Sequence, residues 1–300
     1  RDLRMSRGLG DVYKRQAPLL LGFGCSVPAI LSTRRIETRS DRLVTIAVLP
    51  MMSCAGRLPI YMMFVSALFP SRLQAPVLFG IYASGVLLAL CCARLLKNTL
   101  FKAPQRDSLH HMKRLRLPSL RKVGILMWSR AFMYVRKAGT FILGASIILW
   151  FLNTYPRPEE NTAPTNAAAM EHSYAGQIGH WMEPVTQVAG FDWKINSALV
   201  GAFAAKEIFV TQMGILYAVE DGNSVPAAQQ TLNARLKASY TPLQGISIMI
   251  FCLIALPCIG TVTVAKREAG TWWFALAQFG GLTLLGFATA TLIYQAGLLL

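Results

Sequence analysis

LLLGFGCSVPAI, residues 19–30, and LPMMSCAGRLPIY, residues 49–61, are apolar runs interrupted by Gly, Pro and Cys. Gly and Pro inside such runs free backbone amides and carbonyls. At membrane depth those groups are tolerated only where protein or a water-filled cavity satisfies them. Discontinuous helices of this kind are where transporters bind substrate. Here the interruptions carry sulfur, so the first expectation is a path for a metal ion.

Composition supports a membrane setting. Hydrophobic residues make up 54% of the 300 and charged residues 15%, against about 25% charged in soluble domains. The net charge of +16 sits between apolar spans, a pattern that points to anionic lipid and away from nucleic acid. The six cysteines form no CxxC pair and no zinc spacing, which argues against a disulfide framework. Residues 1–16 are polar, lack the apolar stretch of a signal peptide and resemble translated sequencing-adaptor sequence. They are set aside as non-native, with native N-terminal sequence expected to be lost.

Apolar segments run at about 17–33, 43–69, 74–96, 138–153, 194–217, 242–264 and 272–296. A spanning helix needs roughly 20 residues. The second segment is too long for one straight helix, so we read two half-helices meeting at Ser53–Arg57. Residues 194–217 are expected to span as one segment. Residues 97–137 carry eleven Lys or Arg against Asp107, whereas 154–194 are net −3. The positive-inside rule makes the first loop cytoplasmic and the second external. Counting forward puts the C-terminus inside and Lys266-Arg267 outside, the latter against the rule. Ser119–Lys137 is expected to form a basic amphipathic helix on the inner leaflet, and Ser173–Val188 a similar helix outside. Residues 154–172 read as a flexible loop.

The organisation expected is therefore a first half at 17–100, a basic loop with its amphipathic helix at 101–137, a span at 138–153, an outer loop at 154–193 and a second half at 194–300. A weak repeat links the halves. Leu21–Cys25 parallels Val200–Ala204, and Leu49-Pro50 with Cys54 parallels Leu256-Pro257-Cys258. The fold class is an all-α membrane protein, a polytopic helical bundle with discontinuous helices in two gate-like halves.

Gly24-Cys25-Ser-Val-Pro28, the Arg39-Ser-Asp41-Arg42 turn, Met52-Ser-Cys54-Ala-Gly-Arg57-Leu-Pro59, Ala205-Lys206-Glu207, and Leu256-Pro257-Cys258 followed by Ala265-Lys266-Arg267-Glu268 resemble, in order and spacing, the membrane half of the bacterial ferrous iron transport protein B family. The resemblance covers about residues 17–297. It implies a multi-pass importer of Fe(II) in the bacterial inner membrane, with two gate regions and a cytosolic GTP-binding domain ahead of the membrane part. No G-x-x-x-x-G-K-[ST] loop occurs in this chain, so any GTP chemistry is expected in that other domain and no enzymatic activity or stably bound cofactor here. The partners implied are Fe(II), lipid, the GTPase domain, a small cytosolic accessory protein and a second copy of the chain.

By motif, the metal contacts proposed for the family map to Cys25, Cys54 and Cys258. Thiolate, carboxylate and carbonyl can all coordinate Fe(II), yet Cys is equally at home as a small buried hydrophobe. Cys91, Cys92 and Cys252, inside unbroken runs, read as packing, as do Met51, Met52, Met62 and Met63. Glu207 lies mid-span, where a charge must be paired or wet. It is either a carboxylate of the path or the partner of Arg57 or Lys266. Lys206, Arg57, Lys266 and Glu268 are assigned gating or charge-pairing roles, with Glu268 and Glu37 read as surface or salt-bridge residues. His110-His111 reads as solvated loop. Two other classes stay open: a carrier of nucleosides or another small solute, and a non-transporting membrane scaffold.

Overall fold

The computed structural model describes residues 16–36, 38–99, 119–156, 171–218 and 228–299, and these are helical with no strand among them. Residues 1–15, Glu37, His110-His111 and most of the 154–172 loop lie outside the described residues.

Each half opens with a helix–turn–helix. In the first, α1 (16–22) turns at Phe23-Gly24 into α2 (Ser26–Ser32). In the second, α8 (Trp193–Ala204) and α9 (Lys206–Ala218) flank the extended residue Ala205. Residues 194–217 do not form the single span expected from their hydropathy. Lys194 Nζ lies 4.7 Å from the Tyr217 ring centre, and Gln212 donates to Ser197 Oγ at 3.5 Å. One straight helix would set Lys194 and Tyr217 about 34 Å apart. The segment is therefore a helical hairpin with its tip at Ala204–Glu207. Hydropathy counts apolar residues and cannot see that Ala205 adopts an extended conformation, which reverses the chain.

A broken helix follows each hairpin. In the first half α3 (Arg39–Val48) stops at Leu49-Pro50, and α4 (Leu58–Leu68) restarts after two short 3-10 turns. This break falls where the sequence places it. In the second half α11 (Pro242–Ile254) and α12 (Ile259–Ala269) are separated by Ala255–Cys258. Proline supplies no N–H and locks its own φ, so a helix running into Pro50 or Pro257 loses its ladder. Leu256 sits at φ 53°, a left-handed conformation costly for a branched-chain residue. The long helices α5 (Ser71–Thr99) and α13 (Trp272–Leu299) close the two halves.

The halves run in opposite directions. Arg42 at the start of α3 pairs with Glu268 at the end of α12. At the other end, Leu68 closing α4 fills the space beside Gly245 near the start of α11. Lys97 at the end of α5 reaches Asp41 at 3.4 Å, which gathers Arg34, Arg42, Lys97 and Glu268 at one end of the molecule. Gln295 in α13 donates to the Val188 carbonyl at the opposite end, where Tyr240 also donates to Asp192. Burial there raises the Asp192 carboxyl above its ordinary range, partly opposed by the Ile195 amide and the Tyr240 hydroxyl.

The hairpin changes the count of crossings. The C-terminal end of α13 lies at the end opposite the arginines, not on their side as the expected seven spans required. Lys266 and Arg267 instead fall at the arginine end with their neighbour Glu268, which removes their conflict with the positive-inside rule. Another expectation is also corrected: the amphipathic helix and the span at 138–153 are one continuous helix, α6 (Leu120–Thr154). Its 35 residues extend about 52 Å without a break, and Leu143–Thr154 is its apolar stretch. The outer helix expected within 173–188 is α7 (Tyr174–Thr186), capped by Ser173. Among the described residues four helical stretches are long and apolar enough to cross a membrane, namely Arg39–Leu68, Ser71–Thr99, Pro242–Ala269 and Trp272–Leu299. These are the two broken helices and the two long ones, one pair per half.

Small residues let the helices close on one another. A methyl group on Gly179 of α7 would stand 2.5 Å from the Trp193 carbonyl oxygen, a backbone atom that cannot swing aside. Gly80 on α5 faces open space. Gly179→Ala is expected to cost about 1–3 kcal/mol through overpacking, read as a lower unfolding temperature in detergent, whereas Gly80→Ala should leave that temperature unchanged.

Candidate functional site

The four interruptions converge. Ala55 in the first break donates its N–H to the Gly24 carbonyl in the α1–α2 turn at 3.1 Å. A methyl group on Gly56 would stand 2.9 Å from Glu207 Oε1 and 3.5 Å from Lys206 Cβ, so the tip of the second hairpin lies directly on the first break. Lys206 reaches across to the second break, where its Nζ donates to the Ala255 carbonyl at 3.3 Å. Val27 of α2 packs beside Gly260 of α12. Each hairpin thus touches both broken helices, and the freed backbone groups meet in one region.

This geometry collects residues that the sequence separates by more than two hundred positions. Cys25, Cys54 and Cys258 share one local setting: each has extended backbone and immediately precedes a helical turn, α2, the Ala55–Arg57 turn and α12 respectively. All three are partly exposed and none is in a disulfide. Such a residue carries its side chain beside the N–H groups that the first turn leaves unsatisfied. Cys258 Sγ lies 3.1 Å from Thr261 Oγ1. Cys54 and Cys258 both fall within electrostatic range of Lys206, and Cys25 adjoins the Gly24–Ala55 contact.

Two buried cations stand among them. Arg57 is 2% exposed and donates to the Met52 carbonyl at 3.3 Å, with its Nε left without a partner. Lys206 is 5% exposed. Among the described residues neither has a carboxylate within 4.0 Å. Arg57 therefore faces the carbonyl that ends the 3-10 turn after α3, and Lys206 the carbonyl that ends α11. Cations are favoured at helix C-termini, where the dipole is negative. Glu207 is exposed and makes no ion pair among the described residues. Its contact is with Gly56, and neither Arg57 nor Lys266 is bonded to it.

The remaining charges assigned from sequence lie elsewhere. Lys266 Nζ sits 4.4 Å from the Trp272 ring centre. Glu268 accepts from Arg34 Nε at 2.9 Å and from Arg42, tying the start of α3 and the end of α2 to α12 at the arginine end. Cys91 and Cys92 lie within the uninterrupted helix α5.

Two contributors escape the sequence reading. Tyr61, fully buried, accepts from Ser53 Oγ at 3.2 Å. The other is the Ala255 carbonyl, a backbone group with no side-chain signature. Ser53 and Tyr61 both flank the first break, which is the one signal that could have found them. Cys252 is fully buried in the hydrophobic core, as its reading as a packing residue expects.

The region offers thiols, a carboxylate and backbone carbonyls, donor types suited to a divalent ion of borderline softness. Among the described residues no three His, Cys, Asp or Glu side chains are close enough to hold a metal.

Residues 78–130 match the family described as ferrous iron transport protein B C terminus, and residues 135–272 match a family described as nucleoside recognition, the Gate family. The chain is 38% identical to the Fe(2+) transporter FeoB of Campylobacter jejuni, over 87% of this chain and 43% of the relative. It is 36% identical to an Fe(2+) transport protein A/Fe(2+) transporter FeoB fusion protein of Porphyromonas gingivalis, over 94% of this chain and 37% of the relative. Against the Helicobacter pylori transporter the identity is 32%, over 93% of this chain and 48% of the relative. The chain therefore spans less than half the length of these curated relatives. No solved structure matches it. With two adjoining family matches and relatives of one name aligned along almost its whole length, the chain belongs to the ferrous iron transport protein B family.

Proposed function

We propose that this chain is the membrane permease portion of a bacterial Fe(II) importer, with the ion passing between the two hairpin tips and the two helix breaks. The observation that carries the reading is the meeting of all four interruptions at Gly24, Ala55-Gly56, Lys206-Glu207 and Ala255. Cys25, Cys54, Cys258 and Glu207 serve as ion ligands. Their loose arrangement suits transport, because a permeation site must release what it binds. Arg57 and Lys206 gate the path electrostatically, while Lys266 and Glu268 act at its arginine end.

In this reading the arginine end faces the cytoplasm of a bacterial inner membrane, as the positive-inside rule requires. No cofactor is held stably. GTP acts through a domain of the whole transporter outside this chain. The fusion protein of P. gingivalis, which joins an Fe(2+) transport protein A to its transporter, supports a small cytosolic accessory partner, and a homo-oligomer fits the lipid-facing helices equally. The Gate match favours one other reading, a carrier of nucleosides. The break region supplies thiols and cations where a nucleoside would need amide donors and acceptors. The Asn153 and Gln212 amides are already hydrogen-bonded to each other at 2.8 and 2.9 Å, and the Gln278 amide donates to the Ile46 carbonyl at 2.7 Å. Uptake of labelled nucleoside by proteoliposomes, with no flux of Fe(II), would favour the carrier.

Two outcomes test the proposal. In the full-length transporter, Cys54→Ser and Glu207→Gln are each expected to lower Fe(II) uptake at low external iron about tenfold, the equivalent of 1.4 kcal/mol of ion stabilisation. Cys91→Ser should transport normally, and equal behaviour of all three would remove the ligand assignment. For orientation, a cysteine at Gln295 should label with a membrane-impermeant maleimide in intact spheroplasts, and one at Arg35 only after the membrane is opened. The reverse pattern would invert the molecule.

A further inference from the structure

We infer that the Ala255 carbonyl oxygen is itself a cation-binding position of the path, and that the Lys206 ammonium occupies it as a built-in substitute for the transported ion. The inference rests on the ferrous reading above and adds the device that keeps the path closed to cations when no metal is bound.

The Ala255 carbonyl lies at the C-terminal end of α11, where the chain leaves the helix and no following turn returns an N–H to it. The next residue, Leu256, is held at φ 53°, and Pro257 after it has no N–H to offer. An oxygen in that position is satisfied by a cation or by water. In this structure the cation is Lys206 Nζ at 3.3 Å. The lysine is 5% exposed, and among the described residues it has no carboxylate within 4.0 Å. An ammonium kept out of water without a carboxylate is costly, so its position needs a reason beyond simple ion pairing.

The thiols supply that reason. Cys54, Cys252 and Cys258 all lie within electrostatic range of this ammonium. Among the described residues these thiols are not gathered closely enough to hold a metal by themselves, so the carbonyl under the ammonium is the position a cation would need. A divalent ion cannot enter beside it without strong repulsion, and Arg57 adds a second positive charge within range. Entry therefore requires the lysine side chain to leave Ala255. Lys206 is the first residue of α9, directly after extended Ala205, so its long side chain can swing about the hairpin tip without unwinding a helix. Glu207, the next residue and exposed against Gly56, remains free to follow the ion. The lysine is a positioning and gating residue that competes with the ion.

Competition makes a prediction opposite to that of a structural strut. Anaerobic equilibrium binding of Fe(II) to the purified chain in detergent is compared among wild type, Lys206→Met and Lys206→Arg. Lys206→Met is expected to bind Fe(II) at least tenfold more tightly than wild type. Lys206→Arg keeps the charge and should bind no more tightly than wild type. Lys206→Gln, which retains a donor for Ala255 but no charge, should follow the methionine variant. Wild-type binding with no tightening in either neutral variant would overturn the inference and leave the ferrous path standing. No binding in wild type or in any variant would remove the ferrous path and the inference with it. Failure of both neutral variants to fold would also overturn it, because an exchangeable occupant cannot be indispensable to the fold.

Discussion

A broken helix in a bilayer leaves carbonyls and amides with no water to receive them, and the rest of this structure follows from how those groups are satisfied. Each unsatisfied backbone group at such depth costs several kcal/mol. Here the solution is mutual. The first break gives an N–H to the turn of the first hairpin, and the second break gives a carbonyl to a lysine on the tip of the second hairpin. Each half closes its own break through its own hairpin, and the halves then meet where Gly56 lies against Glu207 and Val27 against Gly260. The ligand-type residues come together because the breaks and hairpin tips of both halves meet.

Close approach makes this arrangement possible. Ser247 in α11 donates to Ala189 and Ala290 carbonyls at 2.8 and 3.2 Å, bridging α13 and the chain before the second hairpin. Gly286 of α13 leaves room for Ala255 itself: a methyl there would stand 2.8 Å from Ala255 Cβ. The backbone at the second break is thus held from behind by a glycine and from in front by Lys206. Packing in lipid gains little from the hydrophobic effect, so small residues and interhelical hydrogen bonds carry such contacts. Large apolar side chains such as Phe79, Leu87 and Trp273 are left on the outside.

The broken helices were legible because their cause is local. Pro50, Pro59 and Pro257 act on their own residues, and their positions can be read directly from the chain. The weak repeat was also visible, since Leu21–Cys25 and Val200–Ala204 do fall in matching hairpins. The hairpin at 193–218 was not legible as a hairpin. Ala204-Ala205 carries no Gly or Pro, and twenty apolar residues with a reversal look like twenty without one. That single omission moved the C-terminus to the wrong end and produced the false conflict at Lys266-Arg267. The charges at Arg34, Arg42 and Glu268 were visible singly. Their association depends on α3 and α12 running antiparallel, a property of topology that no local window contains. The cysteines were chosen for standing beside breaks, and the structure adds that each immediately precedes a helical turn.

The two halves are alike in path but not in what they place at the tip. The first hairpin turns on Gly24 and Cys25, a neutral pair, whereas the second turns on Ala205, Lys206 and Glu207. The second half also carries an added helix, α10 (Ala228–Ser239), between its hairpin and its broken helix. A pair of antiparallel repeats with identical sequences would have two conformations of equal energy related by a two-fold rotation, obtained by exchanging the shapes of the halves. Here the exchange would bring a lysine to where a cysteine had been and a cysteine to where the lysine had been. The degeneracy is lifted by chemistry at the tips, so the molecule has an intrinsic polarity across the membrane that its backbone symmetry alone would deny it.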